Sequence, residues 1–299
     1  MQLKIALTNA IASLTKNQVP SPRINAELLL MFTLNCDRAY LYAHPERELT
    51  AEESSRYDAA LAERARGVPA QYITGHQEFW GMDLIVSPAV LIPRPETEHV
   101  IETVLELQTA DRRPQTSARI PLSAVRGPRS EVALRIADVG TGSGCIALAL
   151  AKELPHAEIH AIDVSRAALE VAGANAARHE LAGRIQFHEM NLLEGFPPSS
   201  FDFIVSNPPY VGESEADQVQ LEVRKFEPRS AVFSGPTGLE TIARLIPQAR
   251  TALRASGWLV MEISGTVADR VAALLDGWNN VRLVPDLQSI PRVAVAQKL

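Results

Sequence analysis

The first eighty or so residues place apolar side chains at helical spacing. Ser21 followed by Pro22 predicts an N-cap with proline in the first helical turn. Thr50 followed by Glu53 predicts a capping box at the start of another helix, which ends near Gly67. The chain itself begins with a helix whose apolar positions are Leu3, Ala6, Leu7, Ala10 and Ile11. The pattern predicts an amino-terminal bundle of about four short helices.

The pattern changes between Phe79 and Ile92. An apolar run at 84–86 is followed by Ser-Pro at 87–88 and by a second apolar run at 90–92. Two short apolar runs on either side of a turn dipeptide predict a β-hairpin.

A strand–turn–helix alternation begins at residue 134. The predicted strands are 134–139, 158–163, 185–188, 201–206 and 257–263, and the predicted helices are 145–154, 166–177 and 242–254. Such alternation predicts an open parallel sheet that is covered by helices. The last two predicted strands, 281–284 and 293–296, are joined by a link too short for a crossover helix, so we expect an antiparallel pair.

Composition and charge narrow the functional class. The chain has 299 residues, of which 46% are hydrophobic, and this excludes a protein that is disordered throughout. The formal net charge of −6 argues against a protein whose main task is to bind phosphate backbones. Neither a signal peptide nor an apolar run long enough to span a bilayer is evident, so we expect a cytoplasmic protein without membrane contact.

One segment, 108–131, is rich in Arg, Pro, Ser and Thr. It can be interpreted as an arm that grips a substrate or as a solvated surface insertion, and we favour the insertion. Cys36 and Cys145 lie far apart and predict neither a disulfide framework nor a metal knuckle. The seven histidines show no metal-ligand spacing either.

A glycine-rich loop, 140–144, follows the first strand of the predicted sheet and opens a helix. Glycines let the backbone approach a ligand closely, and a helix N-terminus favours an anion. The G-x-G-x-G spacing differs from the G-x-G-x-x-G of dinucleotide-binding loops and is compatible with the carboxylate of a methionine moiety. A tight strand–helix turn without a ligand is the alternative.

Two acidic residues end strands beside this loop. Asp163 ends the second strand, where a carboxylate can accept hydrogen bonds from both hydroxyls of a ribose. Asp138 ends the first strand and can either face a ligand's amino group or cap the loop. A P-loop lysine and a G-x-S-x-G elbow are both missing, which argues against phosphoryl transfer and serine hydrolysis.

The sequence Asn207-Pro208-Pro209-Tyr210 directly follows the fourth strand of the predicted sheet. Ligands bind open α/β sheets at the carboxyl ends of their strands. The Asn207 side-chain oxygen and the Pro208 carbonyl can accept both hydrogens of a planar NH₂ group, since consecutive prolines leave carbonyls without donors nearby. Tyr210 offers an aromatic wall for a planar amide or base.

Together these motifs resemble the peptide-chain-release-factor glutamine N5-methyltransferases. The resemblance covers nearly the whole chain, and the matching runs lie at 71–75, 91–98, 138–144, 204–210, 226–228 and 235–239. Asn-Pro-Pro-Tyr also occurs in adenine-N6 DNA methyltransferases and some guanine-N2 RNA enzymes. The Pro-Arg-Pro-Glu-Thr-Glu run at 93–98 and the helical amino-terminal region are more restrictive, and they favour this family over the ribosomal-protein glutamine methyltransferases.

The resemblance implies an α/β fold of the class I methyltransferase (Rossmann-like) type, in which a mostly parallel sheet carries a terminal antiparallel strand and a small helical bundle precedes it. It implies a helical substrate-recognition domain at 1–78, a β-hairpin linker at 79–95 and a methyltransferase domain at 96–299. S-adenosyl-L-methionine is the implied cofactor, release factors are the implied protein substrates, no metal is implied, and we expect a monomer.

The resemblance also assigns the site residues. Those implied for the cofactor are Gly140, Thr141, Gly142, Ser143, Gly144, Asp163, Asn191, Leu192 and Asn207. Those implied for catalysis are Asn207, Pro208, Pro209 and Tyr210. Two departures from the family pattern are Asn191, where aspartate is usual, and Ser-Ile-Pro-Arg at 289–292, where Gly-x-x-Arg is usual.

Other functional classes remain alternatives. A methyltransferase acting on a nucleic-acid amine can use the same tetrapeptide, but the net charge of −6 argues against it because phosphate contacts dominate such binding. A non-catalytic module that binds a release factor or ribosome is disfavoured by the intact glycine loop, Asp163 and Asn207. An NAD dehydrogenase is disfavoured by the glycine spacing.

Overall fold

The computed structural model describes residues 1–112 and 133–299. Most of the Arg-rich segment 108–131 lies outside the described residues, and both interpretations of it stay predictions. Within the described ranges, no helix is both long and apolar enough to cross a membrane.

The amino-terminal bundle contains five helices within the fully described range 1–75, where about four were predicted. They are α1 (Leu3–Lys16), α2 (Pro22–Leu34), α3 (Arg38–Ala43), α4 (Ala51–Ala65) and α5 (Ala70–Thr74). Leu14, Leu29 and Tyr57 meet in the core between them.

The two helix caps predicted in this bundle differ in their side-chain hydrogen bonds. The capping box of α4 is confirmed: Thr50 Oγ1 accepts from the Glu53 amide at 3.1 Å, and Glu53 Oε2 accepts from the Thr50 amide at 2.9 Å. Ser21 occupies the predicted N-cap position of α2, but its backbone is left-handed (φ 48°) and its side chain makes no capping hydrogen bond. Pro22 nevertheless occupies the first helical position.

The β-hairpin lies earlier in the chain than the sequence predicted. Its strands are β1 (His76–Phe79) and β2 (Met82–Ile85), joined by a turn in which Trp80 and Gly81 both have positive φ. The run at 90–92 forms no strand, which corrects the prediction. It is apolar because Val90, together with Val86, packs on Ala168 of the helix Arg166–Arg178.

The rest of the described chain is built around a seven-stranded sheet. Its strands are β3 (Arg135–Val139), β4 (Glu158–Asp163), β5 (Ile185–Glu189), β6 (Phe201–Ser206), β7 (Leu253–Glu262), β8 (Asn279–Pro285) and β9 (Pro291–Gln297). The order across the sheet is β5-β4-β3-β6-β7-β9-β8. Strands β3 to β7 are parallel, and β9 runs antiparallel to both β7 and β8. The predicted sheet is therefore confirmed, with the antiparallel strand next to the edge rather than at it.

Helices cover both faces of this sheet. Those in its two core layers are α6 (Glu98–Arg112), α7 (Cys145–Glu153), α8 (Arg166–Arg178), α11 (Glu240–Ala252) and α12 (Ala268–Leu274). Two short helices, α9 (Leu221–Phe226) and α10 (Arg229–Val232), lie in the segment between β6 and α11. Alternate residues of each strand face opposite layers. Ile136 of β3 packs with the layer that contains α6 and α7, whereas Ala137 packs with the layer that contains α11.

The order of the strands creates a switch point at β3. The chain leaves β3 toward β4 on one side and returns to β6 on the other. The carboxyl ends of β3 and β6 are joined by a hydrogen bond from Ser206 Oγ to the Val139 carbonyl at 2.7 Å. A crevice at such a switch point is where open α/β sheets bind ligands.

Candidate active site

A cavity of about 290 Å³ lies at the carboxyl ends of β3, β4 and β6. Most residues predicted for the site line it, and these are Gly140, Thr141, Gly142, Ser143, Asp163, Asn191, Leu192, Asn207, Pro208 and Pro209. Gly144 and Tyr210 do not line it. The structure therefore brings together residues from four separate loops that follow strands of the sheet.

Two amides of the glycine loop donate to the end of the neighbouring strand, β4. The amides of Gly140 and Thr141 both donate to the Ile162 carbonyl, at 2.8 and 2.9 Å. Among the described residues, the amides of Ser143 and Cys145 at the start of α7 have no acceptor. These two residues line the cavity, and their amides can donate to an anion.

Gly144 has a packing role in this loop. A Cβ atom at Gly144 would lie 2.5 Å from Cδ1 of Leu148 and 3.1 Å from Cβ of Ala172, and φ is 83°. Any larger residue would push α7 and α8 apart.

Asp138 caps the glycine loop. Its Oδ2 accepts from the Thr141 hydroxyl at 2.7 Å and from the Ala147 amide at 3.1 Å. The side chain is fully buried and does not line the cavity. Of the two roles that the sequence left open, the geometry therefore supports capping of the loop over contact with a ligand's amino group. Burial raises the pKa of this carboxyl to about 7.

Asp163 lies at the cavity wall, at the end of β4. Its Oδ2 accepts from the Gly142 amide and its Oδ1 from the Ser165 amide, both at 2.9 Å. Burial raises the pKa of Asp163, and these backbone donors act in the opposite direction. Each carboxylate oxygen has a further lone pair, so both oxygens can still accept from a ligand.

Asn207 presents one end of its carboxamide to the protein. Its Nδ2 donates to Thr97 Oγ1 at 3.1 Å. Among the described residues, nothing donates to Asn207 Oδ1 or to the Pro208 carbonyl. Both residues line the cavity, which leaves two acceptors for the NH₂ group of a ligand.

Tyr210 anchors the loop that follows Asn207. Its hydroxyl donates to Glu262 Oε1 at 3.1 Å, and burial raises its pKa. A Cβ atom at Gly238 would lie 2.5 Å from the Tyr210 carbonyl. This close approach accounts for the glycine at the end of the 235–238 turn. Tyr210 does not line the cavity, and its role as an aromatic wall for the substrate stays a prediction.

Sequence reasoning missed two buried residues beside the tetrapeptide, Thr97 and Glu262. The Thr97 hydroxyl donates to Glu262 Oε2 at 2.6 Å, and Glu262 is only 2% exposed. Burial raises the pKa of Glu262 to about 7. Its position at the carboxyl end of a parallel strand is the signal that could have indicated it.

Ion pairs fasten the segments that border the cavity. Glu227 is buried, pairs with Arg94 and accepts from the Ile92 amide at 3.1 Å. Buried Arg64 of α4 pairs with Glu222 of α9, which joins the helical bundle to the segment after Tyr210. In the described ranges, no group of three or more His, Cys, Asp or Glu side chains could hold a metal ion.

Comparison with known proteins identifies the family. A family model described as the PrmC N-terminal domain matches residues 6–75, and one described as the methyltransferase small domain matches residues 121–225. A release factor glutamine methyltransferase from Koribacter versatilis is 54% identical over 299 residues, which cover 100% of this chain and 99% of that protein. The chain belongs to the release factor glutamine methyltransferase family.

Other relatives agree with this assignment, and a solved structure shares the fold. Release factor glutamine methyltransferases from Xylella fastidiosa and Coxiella burnetii are 40% and 36% identical, covering 92% and 100% of this chain and 93% and 99% of theirs. The hMettl16 catalytic domain has a TM-score of 0.54 at 18% identity and covers 80% of this chain and 81% of its own. That likeness confirms the class I methyltransferase fold.

The buried carboxyls of this methyltransferase predict how its stability depends on pH. Folding raises the pKa of Glu262 from 4.5 to about 7, so the folded chain holds a proton that the unfolded chain has lost. The free energy of unfolding should therefore fall as pH rises through this window, with a slope of at most about 1.4 kcal/mol per pH unit for each such group.

Urea unfolding at about pH 5 and about pH 8 measures this effect. We expect Glu262→Gln to show a smaller loss of stability between the two pH values than the wild type. Glu189→Gln, which changes an exposed carboxyl at the end of β5, is the matched control and should behave as the wild type. Equal losses in all three proteins would contradict the assignment to Glu262.

Proposed function

We propose that this protein transfers a methyl group from S-adenosyl-L-methionine to the side-chain amide nitrogen (N5) of the glutamine in the Gly-Gly-Gln motif of peptide chain release factors. The observation that carries the proposal is the pair of free acceptors, Asn207 Oδ1 and the Pro208 carbonyl, beside the glycine loop. The family membership of the chain supports the same substrate.

The methyltransferase fold implies use of S-adenosylmethionine in general, and the residues of the cavity fit it. The free amides of Ser143 and Cys145 suit the methionine carboxylate, and Asp163 suits the ribose hydroxyls. Asn191 donates through Nδ2 to Glu194 at 2.9 Å, which leaves its oxygen to accept from the adenine amino group beside Leu192. When bound, this cofactor supplies an electrophilic methyl group.

The chain's own part in the reaction is to orient a poor nucleophile. The lone pair of a carboxamide nitrogen is delocalised into its carbonyl, so the reaction depends on position and polarisation rather than on a strong base. Asn207 Oδ1 and the Pro208 carbonyl accept both hydrogens of the glutamine NH₂ group. With the cofactor bound, the nitrogen would form its bond to the methyl carbon as the carbon–sulfur bond breaks, and it would then lose one proton to solvent.

The helical bundle completes the proposal as the part that recognises the protein substrate. We assign residues 1–78 to substrate recognition, 79–95 to a linker and 96–299 to catalysis, in a cytoplasmic monomer. The Arg64–Glu222 pair supports this assignment because it links the bundle to the segment that follows Tyr210. The net charge of −6 favours a protein substrate over a nucleic acid.

Incubation with methyl-labelled S-adenosylmethionine tests the substrate class. Release factors, ribosomal proteins and DNA are offered separately. We expect label in the release factor alone. Label only in ribosomal protein or only in DNA would contradict the proposal, since both kinds of substrate present an NH₂ group that the same acceptors could hold.

A further inference from the structure

We infer that Thr97 and Glu262 are positioning residues that determine which end of the Asn207 carboxamide faces the substrate. This inference rests on the proposed function, because it concerns how Asn207 holds a glutamine NH₂ group. Neither residue belongs to the tetrapeptide, and they lie 165 positions apart in the chain.

The contacts form one chain of hydrogen bonds from β7 to the cavity. Glu262 ends β7 next to the strand end that precedes Asn207, since Met261 pairs with Ser206. Its Oε2 accepts from Thr97 at 2.6 Å, and Thr97 Oγ1 accepts from Asn207 Nδ2 at 3.1 Å. Thr97 is 1% exposed, so water does not compete for its hydroxyl.

The direction of each bond in this chain follows from the number of available hydrogens. An ionised carboxylate can only accept, and a threonine hydroxyl has a single hydrogen to donate. Because Thr97 gives that hydrogen to Glu262, it can only accept from Asn207. The NH₂ end of Asn207 must then face Thr97, and its oxygen must face the cavity.

The second oxygen of Glu262 strengthens this arrangement. Tyr210 donates to Oε1 at 3.1 Å, so both oxygens of the carboxylate are already occupied by donors. The hydroxyl of Thr97 is also held by its short 3₁₀ turn, Pro95–Thr97, and by its β-branched side chain. A reversed Asn207 would present hydrogens to the NH₂ group of the substrate, and two donors would then face each other.

The fixed orientation of Asn207 lets the enzyme select a substrate amide over a substrate carboxylate. An acceptor at Asn207 attracts the hydrogens of a glutamine side chain and repels the oxygens of a glutamate side chain. Without the Thr97 hydroxyl, Asn207 can present either end. The enzyme should then lose much of its preference for glutamine over glutamate as well as its turnover.

The test compares Thr97→Val, Thr97→Ala and Thr97→Ser with the wild type at about pH 8, where Glu262 is mostly ionised. We measure kcat and KM on a release factor and the dissociation constants of Gly-Gly-Gln and Gly-Gly-Glu peptides. The Val and Ala variants should lose about 10–100-fold in kcat, with the cofactor dissociation constant changed less than a few-fold. Their preference for the glutamine peptide over the glutamate peptide should fall by about 10-fold. Thr97→Ser keeps the hydroxyl and should restore both kcat and this preference.

Thr103→Val is the matched control, since Thr103 is equally buried in α6 and donates its hydroxyl to the His99 carbonyl. It should leave kcat and the peptide preference unchanged. Wild-type kcat and peptide preference in both Thr97→Val and Thr97→Ala would overturn the inference while leaving the proposed function intact. A wild-type protein that methylates no glutamine would instead overturn the proposed function.

Discussion

Replacing Asn207 with alanine is expected to lower kcat for methyl transfer to a release factor by about 10²–10³-fold. The variant loses the Oδ1 acceptor that orients the glutamine nitrogen, and the Pro208 carbonyl alone leaves that nitrogen free to rotate. The binding of S-adenosylmethionine should change less than a few-fold, because the glycine loop and Asp163 are untouched. Single-turnover kinetics together with calorimetric titration of the cofactor separate the two effects.

Asn279→Ala is the control for this variant, since Asn279 is an exposed residue of the edge strand β8. It should match the wild type in both kcat and cofactor binding. Normal turnover by Asn207→Ala would remove Asn207 from the role proposed for it.

Asp163→Ala should show the reverse pattern. Losing two hydrogen bonds from ribose hydroxyls to a charged acceptor should weaken cofactor binding by roughly 10–100-fold. At saturating cofactor, kcat should stay within a few-fold of the wild type, because the acceptors that hold glutamine are unchanged. Calorimetric titration of S-adenosylmethionine measures the first effect.

Two further variants test whether the weaker cofactor binding of Asp163→Ala comes from the lost acceptor oxygens. Asp163→Asn keeps one acceptor oxygen and should bind the cofactor more tightly than Asp163→Ala. Glu189→Ala removes a carboxylate that pairs in register with Asp163 but does not line the cavity, and it should bind normally. Unchanged affinity in Asp163→Ala would count against the ribose contact.

The parallel sheet could be predicted from the sequence because each strand carries its own local signal. The strand 158–163 and the strand 201–206 were predicted with the bounds that the structure shows. Their centres are apolar on both faces, as at 203–205 of β6, where Phe203, Ile204 and Val205 are all buried, and this is expected for strands covered on both sides. The sequence also predicted that the polar residues after these strands lie close together, because the carboxyl ends of parallel strands share one edge of the sheet.

The hairpin could not be placed correctly because its turn lacks the usual signature. Trp80 and Gly81 both have positive φ, and tryptophan is not the residue that such a two-residue turn favours. The run at 90–92 was mistaken for a strand because burial against α8 produces the same apolar pattern. Local sequence does not distinguish a buried loop from a strand of this length.

The hydrogen bonds that join Glu262, Thr97 and Asn207 could not be predicted from the sequence for a different reason. The three residues come from distant segments, and only the folded sheet brings them within hydrogen-bonding distance. The sequence indicated the acceptor at Asn207 but gave no means of determining which end of its carboxamide faces the cavity. Tyr210 likewise anchors the loop after Asn207 through a hydrogen bond to Glu262, a residue far away in the sequence.

Locating the transferred methyl group tests the central claim most directly. A release factor is incubated with the enzyme and S-adenosylmethionine, digested, and analysed by fragmentation mass spectrometry. The account predicts one added methyl group on the side-chain nitrogen of the glutamine in Gly-Gly-Gln, and none when that glutamine is replaced by alanine. A methyl group on any other residue, or an unmodified glutamine after complete reaction, would contradict it.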